Sequence, residues 1–152
     1  MMDDINLTEN LKKYFGYDEF RPGQREIIEN ILAKKDVLGV LPTGGGKSIC
    51  YQLPALMKDG LTLVISPLIS LMKDQVDALR EDGIEASFIN SSQDYETYID
   101  TLNDLRKGRI KLLYISPERL DNEFFREFLR EIKLSFVAVD EALLSFPNRG
   151  LA

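Results

Sequence analysis

Short apolar runs alternate with segments of helical period along this chain, and the alternation constrains the fold more than any other feature. The apolar runs are rich in Val, Ile, Leu and Phe, as are strands covered on both faces. They lie at residues 36–41, 61–66, 85–90, 110–116 and 136–140. The segments of helical period lie at 21–33, 47–57, 68–81, 95–107 and 122–132, and glycines at 60, 83 and 108 stand where helices should end. This order predicts an α/β fold with a parallel sheet and helices on both faces.

Composition limits the cellular setting and the chemistry. The 152 residues suit one domain with a core of its own. The N-terminus lacks the basic-then-apolar order of a secretory signal, and no apolar run approaches the roughly 18 residues of a membrane span. One cysteine and no histidine leave neither an internal disulfide nor a zinc cluster. We expect a cytoplasmic protein that has no membrane attachment and is monomeric.

A glycine-rich turn joins the first predicted strand to the next predicted helix. Its sequence is Leu41-Pro42-Thr43-Gly44-Gly45-Gly46-Lys47-Ser48. Consecutive glycines let backbone N–H groups point inward at phosphate oxygens, and the helix N-terminus adds partial positive charge. Lys47 is suited to the outer phosphates and Ser48 to a Mg²⁺ ion. The turn predicts a nucleotide-phosphate site, although Leu41 replaces the first glycine of the usual pattern; the alternative is a glycine-rich turn with an incidental lysine.

Two carboxylates end the last predicted strand. In a nucleotide site of this kind, Asp140 would hold Mg²⁺ through its water shell, and Glu141 would orient and deprotonate the water that attacks the γ-phosphate. Taken alone, an apolar strand followed by Asp-Glu is more often a solvated strand end. The glycine-rich turn upstream favours the catalytic interpretation, with Lys47, Asp140 and Glu141 as the catalytic group.

A segment about twenty residues upstream of the turn offers groups that suit adenine. Tyr17 could stack on a purine, while Arg21 and Gln24 could satisfy the adenine edge and so favour ATP over GTP. Periodicity alone favours the alternative, in which Phe15, Tyr17 and Phe20 are core aromatics of two short helices.

Further polar turns follow other predicted strands. Because the carboxyl ends of parallel strands meet at one edge of a sheet, the glycine-rich turn, the two Ser-Pro turns at 66–69 and 116–119, and residues 140–141 should gather there. Serine hydroxyls and helix N-terminal amides are good phosphate ligands. The alternative for Ser66 and Ser116 is ordinary helix capping, with proline at the first helical position; both roles can hold together.

These segments together resemble the RecQ family of DNA helicases over roughly residues 7–142. The matching segments, in helicase-motif order, lie at 15–17, 20–24, 41–55, 64–76, 114–120 and 137–142. The resemblance implies a RecA-like P-loop NTPase domain that uses ATP and Mg²⁺, and 3′–5′ DNA unwinding in recombination and repair. It assigns adenine recognition to Tyr17, Arg21 and Gln24. It assigns contacts with single-stranded or partially duplex DNA to Ser66, Pro67, Leu68, Ser116 and Arg119.

The resemblance also defines where this chain departs from the family. Leu143 stands where the family has a histidine, and residues 143–152 do not follow the family pattern. We therefore expect 1–35 to be adenine-recognition helices, 36–142 an incomplete RecA-like ATP-binding domain, and 143–152 a tail of a truncated or frameshifted product. The net charge of −6 predicts weak DNA binding by the chain alone. Whether this chain is an active enzyme stays open, and the alternative is an inactive nucleotide- or DNA-binding remnant.

Overall fold

The computed structural model describes residues 4–41 and 46–140. The chain divides into two compact units, Met1–Asp59 and Gly60–Ala152. In the described part of the first unit, the helices are α1 (Asp4–Phe15), α2 (Gln24–Leu32) and α3 (Ile49–Met57). Their apolar faces meet in one cluster, whose fully buried members are Leu7, Leu11, Ile28 and Leu53. Half-buried aromatic and aliphatic side chains pack around that cluster and complete the small core.

The strand predicted at residues 36–41 is wrong. These residues form no strand, and the side chains of Leu38 and Val40 are exposed. The segment lies against α2 and the turn before it: a Cβ atom built on Gly39 would be 2.7 Å from the Ile27 side chain, and one built on Gly23 would be 2.7 Å from Leu41. A strand forms only where a neighbouring strand supplies ladder hydrogen bonds. An apolar, β-branched sequence does not by itself provide that neighbour.

The second unit contains a parallel sheet and its crossover helices. Its described elements, in chain order, are β1 (Leu61–Ile65), α4 (Ile69–Glu81), β2 (Ala86–Ile89), α5 (Tyr95–Arg106), β3 (Leu112–Ile115), a 3₁₀ helix (Pro117–Asp121), α6 (Glu123–Arg130) and β4 (Leu134–Val139). The strands are ordered β2-β3-β1-β4, and all of the pairings are parallel. Val64 in β1 lies beside Tyr114 in β3 and Ala138 in β4. Four of the predicted strands and all of the predicted helices are therefore confirmed. Their observed ends differ from the predicted ends by a few residues at most.

Helices cover both faces of this sheet at β1, β2 and β3, as the sequence predicts, whereas the side chains of β4 are half-buried or exposed. Alternate strand residues such as Leu63 and Leu113 join a buried cluster with Phe125 of α6 and Leu102 of α5. Strand residues of the other parity, among them Tyr114, are also fully buried, and α4 packs against β2 and β3. Both faces of a parallel sheet are expected to be buried in this way, because the crossover helices lie on them.

Glycines end the segments before three of the strands. Gly60, Gly83 and Gly108 have φ values of +97°, +80° and +71°. Only glycine adopts this left-handed region without a steric cost, so these positions confirm the predicted helix ends. Gly60 has a second constraint, because a Cβ atom there would lie 2.9 Å from the carbonyl oxygen of Lys133.

Side chains close the outer edge of β2. Arg80 Nε donates to the carbonyl oxygen of Ala86 over 2.9 Å, and Gln93 Nε2 donates to that of Phe88 over 3.0 Å. An edge strand whose carbonyls already accept hydrogen bonds is a poor template for another strand. Among the described residues, no helix combines the length and the apolar character needed to cross a membrane.

Candidate functional site

The phosphate-binding turn predicted from the sequence leads into α3 in the first unit. Pro42, Thr43, Gly44 and Gly45 lie outside the described residues. Gly46 has a φ of +76°, which suits glycine, and Lys47 and Ser48 directly precede the helix. The carbonyl of Lys47 accepts from the Cys50 N–H over 3.1 Å, and that of Ser48 accepts from the Gln52 N–H over 2.9 Å. Lys47 and Ser48 therefore stand at the N-terminus of an α-helix, where the backbone dipoles favour an anion.

Gln24 connects the upstream segment to this turn. Its side chain is 2% exposed. The amide nitrogen Nε2 donates to the Gly46 carbonyl over 3.0 Å, and Oε1 accepts from the Arg21 N–H over 2.8 Å. A Cβ atom on Gly46 would collide with the Gln24 amide and lie 3.9 Å from Arg21 Cδ. The structure thus brings together Arg21, Gln24 and Gly46, which the sequence assigned to one nucleotide site from positions far apart in the chain.

The aromatic residues of the upstream segment divide between two environments. Phe15 and Phe20 pack against the core of the first unit, as the core-aromatic interpretation predicts. Tyr17 does not follow that interpretation, because its side chain is 51% exposed. An exposed phenol ring has a face available for a flat ligand, so only Tyr17 among these three keeps the geometry that purine stacking requires.

In the second unit, polar residues lie at the carboxyl ends of neighbouring strands. Ser66 follows β1, Ser116 follows β3 and Asp140 follows β4. The Ser66 N–H donates to the Ile115 carbonyl over 2.9 Å, and the Asp140 N–H donates to the Ile65 carbonyl over 2.9 Å. These backbone bonds continue the sheet one residue past each strand. They place the three residues on a single edge, as the sequence predicts.

The two Ser-Pro turns differ in how the serine is used. Ser66 is buried, and its Oγ accepts from the Leu68 N–H over 3.3 Å, so it stabilises its own turn. Ser116 is 3% exposed and precedes the 3₁₀ helix, which has proline at its start, yet its side chain makes no capping hydrogen bond. The capping interpretation therefore holds for the backbone position of Ser116 but not for its hydroxyl.

Arg119 lies in the 3₁₀ helix that follows Ser116. Its guanidinium is 5.1 Å from the ring centroid of Tyr98, on α5. This cation–π contact orients the guanidinium by packing. Pro67 is exposed and Leu68 is half-buried, and both lie directly before α4.

The residues assigned to Mg²⁺ have suitable chemistry. Ser48 offers a hydroxyl oxygen that makes no capping hydrogen bond, and Asp140 offers a carboxylate. Mg²⁺ takes oxygen ligands and is commonly held by one or two protein groups together with substrate phosphates. The donor types therefore fit the ion. Glu141 lies outside the described residues.

Two features of the second unit were missed from the sequence. A polar turn follows β2, in which Asn90 is buried and its Oδ1 accepts from the Ser92 N–H over 2.9 Å. The two tyrosines of the next helix, Tyr95 and Tyr98, then lie at the same edge of the sheet. The Asn-Ser-Ser sequence that begins at the last residue of a predicted strand could have indicated the turn, whereas the contact of Tyr98 with Arg119 depends on the three-dimensional fold.

The sheet and its helices define the class of fold. The structure aligns over 95% of the chain, with a TM-score of 0.72 and 21% identity, to 43% of a solved chain described as a hypothetical ATP-dependent RNA helicase from Sulfolobus tokodaii. At that identity the likeness concerns the fold alone, which is an α/β fold similar to a RecA-like helicase domain.

Sequence similarity defines the family within that class. A model of the DEAD/DEAH box helicase family matches residues 21–145, and the chain belongs to this family. It is 55% identical over 132 residues to the ATP-dependent DNA helicase RecQ of Haemophilus influenzae, covering 87% of this chain and 21% of that protein. It is also 55% identical over 133 residues to RecQ of Bacillus subtilis, covering 87% and 22%. The resemblance to RecQ is confirmed, and the chain spans about a fifth of the length of these relatives.

Proposed function

We propose that this chain is the ATP-binding lobe of a RecQ-type, ATP-dependent DNA helicase. The observation that carries the proposal is the gathering of Ser66, Ser116 and Asp140 on one sheet edge, where the Ser66 and Asp140 N–H groups donate to the Ile115 and Ile65 carbonyls over 2.9 Å. The names of its relatives, ATP-dependent DNA helicases of the RecQ type, support the same assignment. Unwinding with 3′–5′ polarity, in recombination and repair, belongs to the proposal for the whole protein.

The nucleotide is proposed to bind at the turn before α3. Residues 1–35 would supply adenine recognition through Tyr17, Arg21 and Gln24, and residues 36–142 the rest of the ATP-binding domain. The backbone of Thr43, Gly44, Gly45 and Gly46 would enclose phosphate oxygens, and Lys47 would pair with the outer phosphates. The exposed ring of Tyr17 supports base stacking, and the bond from Gln24 to Gly46 links the upstream segment to the glycine-rich turn. To bind adenine, the buried Gln24 amide would exchange one of its two hydrogen bonds.

Hydrolysis is proposed to use the carboxylates at the end of β4. Asp140 and Ser48 would hold Mg²⁺, which neutralises charge on the phosphates. Glu141 would hold the attacking water in line and accept its proton. A carboxylate suits that task because it is ionised at neutral pH and can accept a hydrogen bond from water.

A DNA strand is proposed to lie along the strand-end edge of the second unit. The position of Ser116 directly after β3, with a hydroxyl that makes no capping hydrogen bond, supports this, because serine hydroxyls donate to phosphate oxygens. Ser66, Pro67 and Leu68 would contact the strand at the neighbouring turn, and Arg119 would supply positive charge. Such contacts position a strand without reading its sequence.

The test is ATP binding and turnover by the chain, with and without single-stranded DNA. Lys47→Ala should weaken ATP·Mg²⁺ binding by about tenfold to a hundredfold, because charge-assisted hydrogen bonds contribute roughly 1.5–3 kcal/mol. Lys107→Ala removes the same charge from an exposed site at the end of α5 and should leave affinity unchanged. Glu141→Gln should keep binding and lose turnover. Equal ATP affinity in wild type and Lys47→Ala would refute the proposal, and Lys47-dependent binding without turnover would favour the inactive remnant.

A further inference from the structure

A pair of tilted tyrosine rings lies at the sheet edge proposed to contact DNA. Tyr95 and Tyr98 lie in the first turn of α5, with ring centroids 6.4 Å apart and ring planes inclined by 50°. The guanidinium of Arg119 lies 5.1 Å from the centroid of Tyr98. We name these three residues, Tyr95, Tyr98 and Arg119, the tyrosine stack.

The members of the tyrosine stack differ in exposure. Tyr98 is half-buried and packs against the main core cluster of the second unit, so its position is fixed. Tyr95 is 76% exposed and contributes little to the core. Tyr95 therefore presents a large ring to solvent beside a ring that the core holds in place. Such a surface is rigid and has little conformational entropy to lose.

The topology places this surface beside the proposed DNA contacts. Strands β2 and β3 are parallel neighbours, so the turn that leads to α5 and the Ser116 turn leave the same sheet edge. The strand order β4-β1-β3-β2 then gives the sequence Asp140, Ser66, Ser116 and tyrosine stack along that edge. A single strand that contacts Ser66 and Ser116 would reach the tyrosine stack next.

The local charges favour a base over a phosphate at this position. Asp94 caps α5 and Glu96 lies in its first turn, so carboxylates flank the exposed ring. Carboxylates repel a phosphate, whereas a nucleobase is uncharged and flat. Arg119 adds a cation one ring away, and arginine contributes cation–π energy to single-strand sites.

We propose that Tyr95, supported by Tyr98 and Arg119, stacks on an unpaired base of a DNA strand that runs along this edge. The inference rests on the proposed function, because it assumes that a strand occupies the neighbouring serine turns. Stacking of this kind tolerates any base, since every base has a π-face.

The experiment is photocrosslinking of the complete chain to a twelve-nucleotide oligodeoxythymidylate that carries 5-iodouracil, about twelve bases being in the range of a single-strand site. We expect the crosslink on Tyr95, located by mass spectrometry.

In parallel, fluorescence anisotropy compares the unmodified oligonucleotide with an abasic strand of the same length and charge. Tyr95→Ala should weaken binding of the base-bearing strand about tenfold and leave the abasic strand unaffected. Tyr95→Phe keeps the ring and should bind like wild type, whereas Tyr95→Leu should resemble Tyr95→Ala.

The outcomes separate this inference from the proposed function. Crosslinks confined to the serine turns at 66–69 and 116–119, with affinity unchanged in Tyr95→Ala, would overturn the stacking site and keep the DNA-binding function. Absence of any crosslink and of any oligonucleotide binding would overturn both. If Tyr95→Ala instead altered only self-association in sedimentation, the tyrosine stack would be a protein contact, and the stacking proposal would be wrong.

Discussion

The buried amide of Gln24 donates to the backbone carbonyl of Gly46 over 3.0 Å, and its oxygen accepts from the Arg21 N–H over 2.8 Å. One side chain therefore joins the end of the upstream segment, at Arg21, to the glycine-rich turn, at Gly46. Both ends of the amide proposed for adenine are thus already hydrogen-bonded, so in that proposal one of these bonds would be exchanged for a bond to the base.

The first prediction concerns this amide. Gln24→Ala leaves the Gly46 carbonyl and the Arg21 N–H without the amide partner, and a buried unsatisfied group costs about 1–3 kcal/mol. We expect ATP affinity, measured by isothermal titration calorimetry, to fall by roughly tenfold or more. Gln24→Glu can still accept from Arg21, but when ionised it cannot donate to Gly46 and adds a buried negative charge, so its loss of ATP affinity should exceed that of Gln24→Ala.

Asn30 offers a matched control for Gln24. It lies in the same helix, and its amide Nδ2 donates to the Glu26 carbonyl over 2.8 Å in an exposed position. Asn30→Ala should leave ATP affinity at the wild-type value. An equal loss in Asn30→Ala and Gln24→Ala would mean that α2 as a whole, and not the Gln24 amide, supports the nucleotide turn.

The second prediction compares two glycines of the left-handed region. Gly83→Ala meets no heavy atom within 4 Å, so it should cost only the backbone strain of about 1–2 kcal/mol. Gly60→Ala has the same strain and also places a Cβ atom 2.9 Å from the Lys133 carbonyl oxygen, which is backbone and cannot move cheaply. Urea denaturation should therefore show a larger loss for Gly60→Ala. Equal losses would contradict the close approach between Gly60 and the chain that enters β4.

The elements that sequence could predict are those whose signals are local. The glycines at 60, 83 and 108, the period of the helices and the apolar runs of β1 to β4 are properties of short segments, and the structure confirms them. The segment 36–41 has an equally apolar run and is not a strand, because ladder bonds depend on a partner that local sequence does not specify. Gly46 was assigned to the nucleotide site from its own glycine-rich turn and Gln24 through the family resemblance, while the contact of Tyr98 with Arg119 required the strand order.

The third prediction concerns the cap of α5. The Asp94 carboxylate accepts from the Thr97 N–H over 2.8 Å, and this backbone hydrogen bond, followed by the Thr97 hydroxyl, lowers the pKa of Asp94. A carboxyl with a lowered pKa in the folded state stabilises above its unfolded pKa of about 3.9 and loses that contribution as pH falls through the folded value. Asp94→Asn keeps an accepting oxygen without a titratable group. The melting temperatures of the wild type and Asp94→Asn should therefore differ at pH 7 and approach each other as the pH falls below about 4. A difference that stays constant with pH would contradict the cap.

The fourth prediction concerns the thiol of Cys50, which is 6% exposed in the first turn of α3. Burial raises the pKa of Cys50 from 9.0 to about 11. The thiolate is the reactive form, so labelling with a disulfide reagent at pH 8 should be far slower in the folded chain than in urea.

Between about pH 9 and pH 11 the unfolded chain loses this proton while the folded chain keeps it, so stability should fall as pH rises. Comparison with Cys50→Ala isolates this slope from the titration of lysines and tyrosines. The contrary result is that urea titrations give the wild type and Cys50→Ala the same dependence of stability on pH, with fast labelling of the folded chain. That result would show that Cys50 is open to solvent and that the start of α3 is not packed as described.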